Sequence, residues 1–196
     1  MSEKSTQRKK YRIQASTTTN TYVYCWIAAR EALKQAKQQE SGRFYACMTA
    51  GVFSAFTIEA FLNHLGQRRV QEWKAFERKL GPYEKLILLK QMLHFSADTS
   101  KPPFQTLRDI LRLRNSLAHG KTATVDTDLI VDDPSEEAVC YPEPDWKKLC
   151  SLSFVTRMVE DAEAMVRDLN TQSGSKRDPF ASPGHGSSGV SEVNEE

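Results

Sequence analysis

Apolar residues recur at helical spacing through most of positions 19 to 170. From Thr19 to about Gln39, Tyr22, Trp26, Ala29 and Leu33 share one face, and Ser41-Gly42 then breaks the pattern. From Arg43 to about Leu65 the chain is apolar almost all round, as a helix at the centre of a bundle should be, and Gly66 is expected to end it. A basic helix anchored by Val70, Trp73 and Phe76 is expected over Gln67 to Leu80. Pro82 suits the first turn of the next helix, which carries Leu86, Ile87, Leu89, Met92 and Leu93 and reaches about His94. A polar loop covers 96–103. Leu107 to Lys121 then gives a helix with Leu107, Ile110, Leu111, Leu117 and Ala118 in one stripe and Gly120 as its stop. The last helix, about Lys147 to Leu169, buries Leu152, Phe154, Val155, Met158, Val159, Ala162, Met165 and Val166.

Two kinds of segment depart from this period. Thr122 to Val131 and Ala138 to Tyr141 are β-prone about a turn at Asp132-Asp133-Pro134-Ser135, which predicts a small hairpin. Residues 1–18 are polar and basic and read as a flexible arm. Residues 171–196 are rich in Gly, Ser and Pro and read as a disordered tail. The expected fold is therefore all-α. It is an antiparallel bundle of five to six helices over residues 19–170, with a possible β-hairpin between the last two.

The net charge of +2 conceals an asymmetry. Residues 1–121 hold 21 Lys and Arg against 9 Asp and Glu, while residues 122–196 hold 6 against 16. A basic field of that kind favours a polyanionic partner such as nucleic acid. The N-terminus has no apolar signal core. Cys25, Cys47, Cys140 and Cys150 form no CxxC pair, so a reduced, cytoplasmic chain with buried thiols is expected. The apolar stretch from Arg43 carries Tyr45, Thr49, Ser54, Thr57, Glu59 and Asn63, too many polar groups for a lipid-facing span, so no membrane partner is expected. The GxxxxGK[ST] phosphate loop, HExxH and GxSxG are all missing. No cofactor or metal is expected.

Two charges stand where apolar residues belong. Arg114 lies seven residues after Leu107, in the stripe of its helix. Glu59 is the only charged residue between Arg43 and His64. Burying either alone costs several kcal/mol. The economical solution is that they pair, with Asn63 four residues on from Glu59 on the same face. His64 suits a surface or core-edge position. Arg114 and His119, five apart, are separated by about 140° on an ideal helix, whereas Asn115 and His119 share a face.

The run Arg114-Asn115-Ser116-Leu117-Ala118-His119 resembles the R-x(4–6)-H motif, in its R-N-x(3)-H form, of HEPN (higher eukaryotes and prokaryotes nucleotide-binding) domains. The helix AFTIEAFLNHL, with Glu59 and Asn63, resembles the central helix that precedes it in many of them. The resemblance covers roughly residues 20–170. It implies a four- to six-helix bundle, usually dimeric, often a metal-independent ribonuclease in toxin–antitoxin, phage-defence or RNA-processing systems. On this chain it implies Arg114 and His119 as the principal catalytic pair, Asn115 orienting the site and Glu59 holding Arg114. Members silenced by adenylylation carry a tyrosine two residues after the histidine. Here that residue is Lys121, which could instead touch substrate phosphate, as could Asn63 from the neighbouring helix.

The chemistry suits those groups. Metal-independent RNA cleavage removes a proton from the 2′-OH and gives one to the 5′-oxygen, within the reach of an imidazole near neutral pH. A guanidinium fork stabilises the charge on phosphorus oxygens. One chain offers a single histidine in the motif, so a homodimer that pools two motifs is expected. The expected partners are RNA, a second copy and an antitoxin or regulatory protein. The competing expectation is a non-catalytic RNA-, nucleotide- or partner-binding module on the same bundle.

Overall fold

The computed structural model describes residues 10–122, 124–126, 128, 130, 132 and 142–193. Five long helices make the body: α1 (Thr21–Gln38), α2 (Arg43–Arg69), α4 (Pro82–Leu93), α5 (Leu107–Ala118) and α7 (Leu152–Gln172). Two single-turn helices, α3 (Lys74–Glu77) and α6 (Asp145–Lys148), and a 3-10 turn at Phe104–Thr106 lie between them. α2 is central and touches α1, α4, α5 and α7. Its length and composition would also suit a membrane span, but its apolar residues are largely spent on these neighbours. Phe61, Leu62, Leu86, Leu89, Leu107, Ile110, Leu113, Met158 and Met165 fill the interior.

Local sequence sets the ends. Gly42, at φ 75, turns the short connection between α1 and α2 in a conformation that suits glycine. Pro82 opens α4, and His94, at φ 55, closes it. Ser151 caps α7, its hydroxyl accepting from the Phe154 N–H. The expected continuous last helix is therefore two, broken where Leu149 and Cys150 turn inward.

Gly66 does not end α2, which runs one turn further to Arg69. A Cβ on Gly66 would stand 2.2 Å from Trp73, so the glycine is a seat for the indole. The chain turns back through Glu72, at φ 57, to deliver that ring. The expected basic helix over Gln67 to Leu80 reduces to α3. Val70 and Trp73 are buried and Phe76 lies at the surface.

The termini also differ from expectation. Within the described part of the expected arm and tail, β1 (Lys10–Thr19) and β2 (Gly184–Val193) pair antiparallel, from Lys10 opposite Val193 to Thr19 opposite Gly184; residues 1–9 and 194–196 lie outside the described residues. The ribbon is tied down at its base. Asn20 N–H donates to Pro183 O at 2.8 Å, and Tyr22 OH to Pro179 O at 2.9 Å. Phe180, the lone aromatic of the tail, is buried and stacks on Trp26 with centroids 4.2 Å apart. That one anchor fixes the direction of the chain leaving α7. The hairpin expected over 122–145 falls largely outside the described residues, as does Cys140. Cys47 and Cys150 are buried thiols, and burial pushes Cys150 up to about 11.

Candidate active site

The site is built where α5 crosses α2. Gly51 permits the close approach: a Cβ there would lie 2.5 Å from Leu113 Cδ2. Leu113 is fully buried against this gap, and the next residue, Arg114, emerges at the edge of the contact. Its Nη2 donates to Glu59 Oε2 at 2.6 Å, and its Nη1 donates to Asn115 Oδ1 at 2.8 Å. The two charges singled out from the apolar stretches therefore meet, as a charge-assisted hydrogen bond.

Their setting is the edge of the core rather than its interior. The Arg114 and Glu59 side chains keep 23% and 26% of their surface exposed. Arg114 belongs to the apolar stripe of α5 by spacing, yet its side chain keeps partial contact with solvent. Ala118, expected in the same stripe, is exposed, and Leu117 is half-buried.

Lys85 completes the cluster and was not anticipated. It lies on α4 between Glu84 and Leu86, and its side chain is 2% exposed. Its Nζ stands 3.4 Å from Glu59 Oε1, so one carboxylate faces two cations. Its position was readable: Lys85 is four residues before Leu89 and three after Pro82, on the helix face that both bury. The cluster carries a net +1 with an ammonium that water barely reaches. Such a centre favours an arriving anion.

Asn63 follows Glu59 by one turn of α2, and its Oδ1 is buried with no hydrogen-bond donor among the described residues. His119 is the residue at which α5 ends. Its N–H donates to Asn115 O at 3.0 Å, and the residue is exposed. Gly120 lets the chain leave there, because a Cβ on it would lie 2.6 Å from Ser116 O. Among the described residues no hydrogen bond joins the His119 ring to Arg114, Asn115 or Glu59. Lys121 is exposed beyond it and enters no ion pair among them. The structure thus brings Glu59, Arg114 and Asn115 together and adds Lys85. His119 and Lys121 stand at the solvent end of the same helix. No group of three His, Cys, Asp or Glu poised for a metal occurs among the described residues.

No family model, curated protein or solved structure matches the chain. Any assignment therefore rests on the site itself.

The outer face of α2 bears on that site. Tyr45, Thr49, Val52, Phe56, Glu59 and Asn63 follow one another at alternating steps of four and three, the spacing of a seam between two helices. Tyr45 is 67% exposed and Phe56 38%, while Val52 is half-buried. The seam passes the Glu59–Arg114 pair and ends one turn beyond it, at Asn63.

Proposed function

We propose that this chain is a metal-independent RNA endonuclease of HEPN type, active as a homodimer. The observation that carries the reading is the contact of Arg114 with Glu59 and Asn115, five residues before an exposed histidine at a helix end. Glu59 holds the guanidinium, and the partly exposed fork is the group for phosphoryl oxygens. His119 is the proton carrier for 2′-OH attack, which breaks the P–O5′ bond and leaves a 2′,3′-cyclic phosphate. The α2 seam supports pairing of two copies. Apolar Tyr45, Val52 and Phe56 would be covered, and two Arg114–His119 motifs would flank one cleft. RNA is the proposed substrate, the cytoplasm the proposed site of action, and an antitoxin-like or regulatory protein the proposed control.

The experiment is incubation of the purified chain with mixed RNA in EDTA. Cleavage leaving cyclic phosphate ends, lost in His119→Ala and Arg114→Lys, supports the reading; equal cleavage by both variants refutes it. Phe56→Asp should convert a dimer to a monomer and abolish cleavage. A non-catalytic RNA- or nucleotide-binding module is the second reading. It is favoured by the exposed His119, whose ring no described residue holds in place. RNA binding without cleavage, undiminished in His119→Ala, selects it.

A further inference from the structure

A second basic site lies elsewhere on the fold, in a cleft of about 940 Å³ beneath the ribbon. One wall is the last turn of α2, with Arg68 and Arg69. The other is the segment that follows α7, with Lys176 and Arg177. His64 lies deeper and His185 enters from the ribbon. The Arg69 guanidinium joins the walls by donating to Ser173 O, and within the second wall Asn170 Nδ2 donates to Arg177 O at 2.8 Å.

Four permanent cations converge here and lack acidic partners. None of Arg68, Arg69, Lys176 and Arg177 has a carboxylate within 4.0 Å among the described residues. Among the described residues the one acid lining the cleft, Asp178, is engaged by Arg167 Nη1 at 2.7 Å and by the Phe180 N–H at 3.1 Å. Cations in a last helical turn offset the helix dipole, which accounts for Arg68 and Arg69. It does not account for Lys176 and Arg177, which lie beyond the last turn of α7, where the dipole's influence has faded. Gathering four like charges around one concavity is unfavourable until an anion enters, and a walled cleft focuses that field.

We infer that this cleft binds a ligand bearing consecutive phosphates. Its volume exceeds what a single phosphate fills and lies within the range of small-molecule sites. Arg68 and Arg69 offer guanidinium forks for terminal oxygens, and Lys176 a point charge across the gap. A nucleoside polyphosphate and the 5′-phosphorylated end of an RNA share this chemistry. The site is independent of the nuclease reading.

The test is calorimetric titration of the full chain with inorganic tripolyphosphate at 0.15 M salt. The expected result is saturable one-to-one binding, weakened about tenfold or more in Arg68→Gln/Lys176→Gln. Both residues are exposed, so the fold should persist; circular dichroism checks this. Arg114→Lys/His119→Ala, which removes the guanidinium fork and the imidazole of the catalytic site, should bind as the parent does, which separates the two sites. Titrations with ATP and with 5′-triphosphorylated and 5′-hydroxyl oligonucleotides then distinguish the sources. Absence of saturable binding overturns the inference. Equal weakening in Arg108→Gln/Arg112→Gln, on the exposed side of α5, does so too.

Discussion

Replacing Glu59 by Gln tests the centre of the site most directly. The carboxylate accepts from Arg114 at 2.6 Å and faces Lys85 at 3.4 Å. Removing one partner of a fully buried ion pair costs about 3–5 kcal/mol. Arg114 is 23% exposed and can regain water, which lowers its share. Lys85 is 2% exposed and cannot, so its ammonium is stranded. The amide oxygen of Gln retains one acceptor. The expected loss is about 2–3 kcal/mol, or roughly 5–10 °C in Tm for a chain of this size. Urea unfolding should show a lower midpoint at unchanged slope. Lys85→Met should cost less, about 1 kcal/mol, because it leaves Glu59 with Arg114 and removes a buried charge. The double variant should then recover at least about 1 kcal/mol relative to the sum of the singles. A Glu59→Gln variant within about 0.5 kcal/mol of the parent, or strict additivity in the cycle, would refute the shared-carboxylate account.

Gly66→Ala should destabilise by about 2–3 kcal/mol, since its Cβ would stand 2.2 Å from the buried Trp73 ring; a neutral result in chemical denaturation would mean that the indole sits elsewhere. Phe180→Ala should cost about 3 kcal/mol and speed proteolysis after α7, because it removes the ring stacked on Trp26; unchanged cleavage kinetics would show that the tail is held otherwise. His64 lies against Tyr22 and Phe61, and burial, with Arg68 nearby, holds its imidazole below the ordinary range. The folded state then binds fewer protons than the unfolded one. Stability is full above the ordinary imidazole pKa and falls as pH drops through it toward the lowered folded value. Melting between pH 7.5 and 5.5 should show that slope, reduced in His64→Gln; identical slopes would assign the effect to other groups.

The helical body follows from the period of the apolar residues. α1, α4 and the start of α2 lie within two residues of where spacing, Gly42 and Pro82 place them, because those signals act locally. The pairing of Glu59 with Arg114 was legible for a different reason. Each is a charge in an otherwise apolar stretch, and burial leaves such charges few alternatives to meeting. Lys85 shares the spacing of Pro82 and Leu89, but a lone lysine among leucines ordinarily extends its ammonium to solvent. Only the packing of α4 on α2 turns it inward.

What the chain fixes by itself is therefore the helices, the apolar faces and the presence of two charges that need each other. What tertiary packing decides is different in kind. Gly66 has the composition of a stop and the role of a seat, since whether a missing Cβ bends the chain or admits a neighbour depends on Trp73, seven residues on. Phe180 sits in a Gly-, Ser- and Pro-rich tail, and its burial depends on a slot between α1 and α7 that exists only after they pack. The exposure of His119 is set by where α5 ends. Local sequence acts over a few residues, whereas a pocket is made by surfaces far apart along the chain, and those surfaces decide which side chains stand in water.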